Sequence, residues 1–483
     1  MREIMKKQVF NPYLPLYEYT PDCEPHIFND RLYVYGSHDC YSEFPFSHNN
    51  YVTWSAPLDD LSDWRYEGEI FDKKEDPLNR DGKLDLYAPD VTQGPDGKFY
   101  LYYSLAWQGT IGVAKSDSPV GPFKFIGNVH YKNGTVLGRK KGDAFHFDPG
   151  VFTDEDVRVY LYSGFGAITW FPMIKHHLKP QGGYAMELEP DMMTIKEDPK
   201  KLFSMANEEK NINGVTDKNH AFFEASSLRK IGNTYYFIYS SLAGHELCYM
   251  TSSSPMGPFQ YQGIIISNGD VGLNGRKKED ATCAIGNNHG SIIQVKGQWY
   301  VFYHRHTNYT NTDRQDCAEP ISIDENGKIK QVEITSCGLN LKPLEGKGEY
   351  PASICCYYHG KKPNVFYPFF ALPHQKRKLR IHQDGHDRDQ KEQYIQNVGD
   401  KCLIGYKYFD LSNTHKVTLK YKGKFNGNVS IRFSENGKNE YTSPLSSRNN
   451  EVCIDINPQS KKEALYFYFE GFSKLDLYSI KFE

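Results

Sequence analysis

Five times in the first two thirds of the chain, a short apolar stretch meets a polar Asn, Asp or Gly turn and leaves as an alternating aromatic and aliphatic run. The segments are EPHIFNDRLYVYGS from Glu24, APDVTQGPDGKFYLYYS from Ala88, DPGVFTDEDVRVYLYSG from Asp148, EASSLRKIGNTYYFIYSS from Glu224 and HGSIIQVKGQWYVFYHR from His289. Alternation with a period of two predicts strands, and the tight turns join them into hairpins. Consecutive starts lie 60 to 76 residues apart, which leaves room for two more strands per unit. Phrases such as SDSPVGPFKFIG and SSSPMGPFQYQG, after the second and fourth hairpins, supply an outer strand. Five four-stranded units predict an all-β five-bladed propeller.

The alignment puts Glu24, Ala88, Asp148, Glu224 and His289 at one repeat position. The innermost strands of a propeller face a common axis, so this register predicts three carboxylates and a histidine meeting at one end of a central funnel. Each acid taken alone is equally a cap on a surface turn. Neighbours such as Phe147 and Pro149, or Phe222 and Phe223, predict partial desolvation and raised carboxyl pKa values.

The repeat stops near residue 340. The Gly-, Lys- and Pro-containing stretch 341–365 is expected to connect the propeller, residues 1–340, to a second unit over 366–483. Alternating strands such as YIQNVGDKCLIGYKYFDL, KVTLKYKGKFNGNVSIRFSENG and ALYFYFEGFSKLDLYSIKFE predict an antiparallel β-sandwich of jelly-roll type there.

A chain of 483 residues accommodates two such cores. Aromatic residues make up 14% of it, which suits strands and also suits stacking on sugar rings. The net charge of −3, without a strongly basic block, gives no footprint for nucleic acid or an anionic membrane, and a neutral oligosaccharide fits better. No apolar run approaches the roughly 20 residues of a membrane span. The opening MREIMKKQVFNPYLPLYEY has no apolar core of a secretory signal, and ten scattered cysteines form no CxxC pair, so a cytoplasmic location is expected.

The motifs NPYLP with a downstream acid–Pro pair, YAPDV, FDPGVFTD, FFEASSLRK and GNNHGS resemble glycoside hydrolase family 43, over roughly residues 10–335. The resemblance implies inverting hydrolysis of glycosides by three acids. It implies a general base from the first blade, a residue tuning the pair from the third, Asp148, and a general acid from the fourth, Glu224. Glu24, in Glu24-Pro25 where the family has Asp-Pro, is preferred as the base on register, with Asp22 two residues earlier as the competing candidate. Glu224 stands in Glu-Ala-Ser where the family has Glu-Gly-Pro.

The likeness also implies that His289 holds a calcium or sodium ion, or is a buried structural histidine, while no cofactor is required for the chemistry. Arg305 and Arg314 either donate to sugar hydroxyls or pair with a site carboxylate, and the likeness favours Arg314. Trp54 and Asp90 either line the sugar pocket or hold the blade tops. The C-terminal unit resembles carbohydrate-binding module family 6, where Tyr406, Tyr408 and Phe409 form a stacking platform or fill the core. The implied activity is release of terminal α-L-arabinofuranosyl or β-D-xylosyl units. A galactofuranosidase, a β-galactosidase and a non-catalytic sugar-binding propeller are the alternatives.

Overall fold

The computed structural model describes residues 9–169, 171–308, 310, 312–360, 377–386, 389 and 391–483. Five antiparallel sheets form the propeller. Each of the first four has four strands in meander order, spanning Glu24–Phe71, Asp90–Asn128, Gly150–Phe203 and Phe222–Ser267. The fifth has three strands within Ile292–Ile321. The innermost strands, beginning at Glu24, Asp90, Gly150, Phe222 and Ile292, adjoin one another around the axis. They approach closely enough that a Cβ on Gly150 would lie 2.1 Å from the Ser226 carbonyl oxygen, so only glycine fits there.

Alternation explains the packing. In the second strand of the first blade, Leu32, Tyr33, Val34 and Tyr35 are all buried, because both faces meet neighbouring blades. The ring is closed through Asn11, whose side chain accepts from the Ala318 amide at 3.0 Å and donates to the Ala318 carbonyl at 3.0 Å. Cys23 and Gly290 bridge the first and last blades in parallel.

The C-terminal sandwich has two six-stranded sheets. The stretch 341–365, expected as a connection, contributes three strands to it: Leu344–Glu345 and Tyr357–His359 pair with Leu403–Asp410, and Gly348–Pro351 pairs with Leu475–Phe482. Its short apolar pairs find partners far along the chain, which a local pattern does not display. Residues 361–365 of that stretch, and the first eight residues of the chain, lie outside the described residues. Tyr406 and Phe409 are fully buried and fill the sandwich core, while Tyr408 turns to the propeller and donates to Glu333 Oε1 at 2.5 Å. Among the described residues no helix is long and apolar enough to cross a membrane.

Candidate active site

A cavity of about 450 Å³ opens at one end of the propeller axis. Asp22, Ala88, Asp148, Glu224 and His289, one from the inner edge of each blade, line its floor and walls. Asp22 and Asp148 both stand two residues before the first residue of an inner strand, and both have left-handed backbones, with φ of 65° and 43°. Glu224 is aimed by irregular pairing on either side of it and by Ala225 at φ 66°. Such bulges redirect a side chain out of the strand plane, and strained conformations of this kind gather at functional sites.

Arg314 ties the polar wall together. Its Nη1 donates to both Asp22 carboxylate oxygens at 2.8 and 3.0 Å, while Nε and Nη2 donate to Asp39 at 2.9 Å each. Burial alone would raise the Asp22 carboxyl, but the Arg314 charge, helped by His304 and His289, brings it down to about 2. Glu224 is pushed the other way, up to about 8, first by burial and then by the negative charge of Asp22. Asp148 is also raised, by burial and by the charges of Glu224 and Asp22, against the Arg314 charge and a hydrogen bond from the Ala225 amide. The cavity therefore holds both an ionised carboxylate, Asp22, and a protonated acid, Glu224, at neutral pH.

His289 stands between the layers. Its Nδ1 lies 3.7 Å from Asp148 and 4.0 Å from Asp22, and its Nε2 lies 3.9 Å from Glu24 Oε1. Burial lowers its pKa to about 4, so the ring is neutral. For a calcium or sodium ion the fit is partial. A neutral imidazole and Glu24 Oε1, a buried oxygen without a hydrogen-bond partner, are two protein ligands, whereas calcium takes six to eight, mostly oxygens. Water would have to complete the shell. Neither of the two convergent His/Cys/Asp/Glu groups among the described residues includes His289.

The structure corrects four expected site residues. Glu24 does not reach the cavity; it lies one pleat deeper, where Oε2 accepts from Arg229 Nη2 at 2.8 Å and from Ser227 Oγ at 2.9 Å. The slip arose from aligning Glu24-Pro25 with Ala88-Pro89 and Asp148-Pro149, whereas Asp22 is the residue beside Asp148 in space. Asp90 shares that deeper layer, accepting from the Val91 and Val151 amides and bonding His26 Nε2 at 2.7 Å, so it joins blades and does not line the cavity. Trp54 is buried between the first and last blades, with its Nε1 donating to Glu18 at 3.1 Å. Arg305 faces the sandwich, donating to the Ser353 carbonyl at 2.7 Å and to Gln315 and Gln393. Asp22, Asp148, Glu224, Arg314 and His289 do come together.

Several lining residues carried no signal in the repeat. Phe46, Trp107, Phe165, Phe171 and Phe223 form an aromatic side to the cavity, with Trp107 and Phe171 stacked at 5.8 Å. They come mostly from loops between strands, which vary in length from blade to blade. Asp39, the second anchor of Arg314, follows the first hairpin in GSHD and was legible only as an acid near a strand end.

A polar floor with an aromatic side suits a sugar ring. The comparisons agree with that chemistry. A xylosidase/arabinosidase of Thermoclostridium stercorarium is 45% identical over 98% of this chain and 99% of its own length. A xylosidase/arabinosidase of Bacteroides ovatus is 31% identical over 60% of this chain and 87% of its own. The crystal structure of a Bacillus subtilis arabinoxylan arabinofuranohydrolase, solved with cellotetraose, superposes over 98% of this chain and 97% of its own with a TM-score of 0.51 at 20% identity, a likeness of fold across both units. The family model "Glycosyl hydrolases family 43" matches residues 25–329, nearly the whole propeller, and with the cavity this identifies the chain as a member of that family.

Proposed function

We propose that this glycoside hydrolase releases terminal xylosyl or arabinofuranosyl units from oligosaccharides by inversion, with Asp22 as general base, Glu224 as general acid and Asp148 as the residue that tunes them. One observation carries the proposal: two carboxyls from different blades lining one cavity are driven to opposite protonation states, Asp22 to about 2 and Glu224 to about 8. Inversion needs such a pair, since one acid protonates the departing oxygen while the other carboxylate takes a proton from the attacking water. Arg314 keeps Asp22 ionised and fixes its orientation. Asp148 is coupled to this pair, its own carboxyl raised by burial and by the charges of Glu224 and Asp22, so that the acids of the cavity do not all ionise together. The names of the two relatives above support a pentose as the glycone. No step is assigned to a metal ion; one bound at His289 would supply fixed positive charge below the sugar. A cytoplasmic place of action suits this reading, because all ten cysteines are free thiols.

The test is hydrolysis of p-nitrophenyl α-L-arabinofuranoside, β-D-xyloside, β-D-galactofuranoside and β-D-galactoside, with the anomer of the first-formed sugar followed by NMR. Release of a pentose of inverted configuration is expected. Release of only a galactoside, or a product of retained configuration, would reject the proposal.

A further inference from the structure

The cavity lining includes one exposed charged side chain, Lys278, while the acids and Arg314 lie deep. Lys278, lining the cavity and exposed, marks its solvent side, away from the buried acids. This lysine belongs to the first part, residues 268–281, of the connection between the fourth and fifth blades, which has three single 3-10 turns at Asn268–Asp270, Leu273–Gly275 and Lys278–Asp280. Backbone hydrogen bonds close the last two of these turns, from Gly275 to Gly272 at 3.2 Å and from Asp280 to Lys277 at 3.0 Å.

The sandwich holds this loop at three places. Arg276 donates through Nη2 and Nη1 to the two carboxylate oxygens of Glu435 at 2.7 and 3.2 Å, and Nη1 also donates to the Asp280 carbonyl at 2.9 Å. The same guanidinium thus clamps the turn bearing Lys278 on one side and the sandwich on the other. Glu435 is itself steadied by the Tyr357 hydroxyl at 2.8 Å. At the start of the loop Asp270 accepts from Lys407 Nζ at 3.2 Å, and just beyond its end the Tyr358 amide donates to the Thr282 carbonyl at 2.8 Å. A bidentate Arg–carboxylate pair fixes orientation as well as distance.

We propose that the sandwich sets the leaving-group side of the cavity, with Glu435 acting through Arg276 as a positioning residue for Lys278, which donates to hydroxyls of the departing sugar. This rests on the pentosidase reading above. A sugar leaving group has hydroxyls for Lys278 to meet, whereas p-nitrophenol has none in that position, so the brace affects the two substrate types differently.

The experiment compares wild type, Glu435→Gln, Glu435→Asp and Lys278→Gln on the p-nitrophenyl glycoside and on the disaccharide of the same pentose, with hydrogen exchange of residues 268–281 measured in parallel. Lys481→Gln, on the central strand of the other sheet of the sandwich, is the control. Glu435→Gln is expected to speed exchange in 268–281 and raise KM for the disaccharide about fivefold, with less than about a twofold change on the aryl substrate, a modest coupling between remote contacts. Lys278→Gln should reproduce the KM split without the faster exchange, and Glu435→Asp, which keeps the charge, should recover most of the affinity. Unchanged exchange in Glu435→Gln overturns the brace even if the enzyme is active. Equal KM changes on both substrates overturn the role of Lys278. A wild type silent on every pentoside overturns the pentosidase reading and this inference with it, whatever the exchange shows.

Discussion

The propeller axis carries two buried acidic layers separated by two residues of strand, about 6.6 Å. The outer layer, Asp22, Asp148, Glu224 and Arg314, opens on the cavity. The inner layer, Glu24, His26, Asp90 and Arg229, is closed by its own hydrogen bonds, His26 to Asp90 and Arg229 to Glu24. The two are alike in composition and electrostatics: burial holds Glu24 as well as Glu224 at about 8. A displaced carboxyl pKa therefore does not distinguish a reacting group from a structural one. What distinguishes them is an open face where a substrate can approach within hydrogen-bond reach.

Substitution separates the layers most sharply by rate. Asp22→Asn and Glu224→Gln should each lower kcat by about 10³-fold on a disaccharide, the scale of general acid–base assistance. Glu24→Gln keeps the shape of the protonated acid and should stay within about tenfold of wild type. Comparable losses for all three would erase the distinction. The next effect is on the pH profile. Arg314→Gln removes the charge that depresses Asp22, so the acid limb of kcat/KM should move upward by about one pH unit or more, and the alkaline limb set by Glu224 should also move up from near 8, because the same charge lowers that acid.

Stability should treat the layers alike. Glu24 and Glu224 bind protons more tightly folded than unfolded, so each lowers stability as pH rises from about 4.5 to about 8. Thermal unfolding from pH 5 to 9 should show wild type declining, with Glu24→Gln and Glu224→Gln each flattening the slope. A slope unaltered by Glu24→Gln would mean that the inner acid is ionised in the folded protein. The smallest effects belong to aromatic residues. Trp107→Ala is expected to raise KM about tenfold through lost stacking, whereas Trp54→Phe should leave KM unchanged and lower stability by about 1 kcal/mol through the lost bond to Glu18.

The blades were legible because each hairpin repeats the same alternation, and Asp148, Glu224 and His289 followed from it. The first-blade acid was not, and the reason is geometric. A slip of two residues leaves every side chain on its original strand face, so the apolar pattern of EPHIF is satisfied whether Asp22 or Glu24 is placed at the funnel. Only depth along the axis separates them, and depth is set by contacts between blades, such as Arg229 of the fourth reaching Glu24 of the first. Arg314 was recognised from its likeness to a family arginine; its anchor Asp39 lies 275 residues away in the chain, beyond any local pattern. Trp54, Asp90 and Arg305 misled because polar and aromatic residues at blade ends serve seams between blades and domains as readily as they serve a ligand.

The inner layer also plugs the axis: Glu24 is 1% exposed, capped by Arg229, with Ser227 and Ser291 bonded beneath it at 2.7 Å. Glu24 and His289, both buried, thus close the axis beneath the site. A chain cannot be threaded through it, so the freed sugar must back out through the mouth before the shortened oligosaccharide can present its next end. For the hydrolase proposed above, such a shape would favour one cut per encounter, with the released sugar leaving by the opening that the next substrate enters.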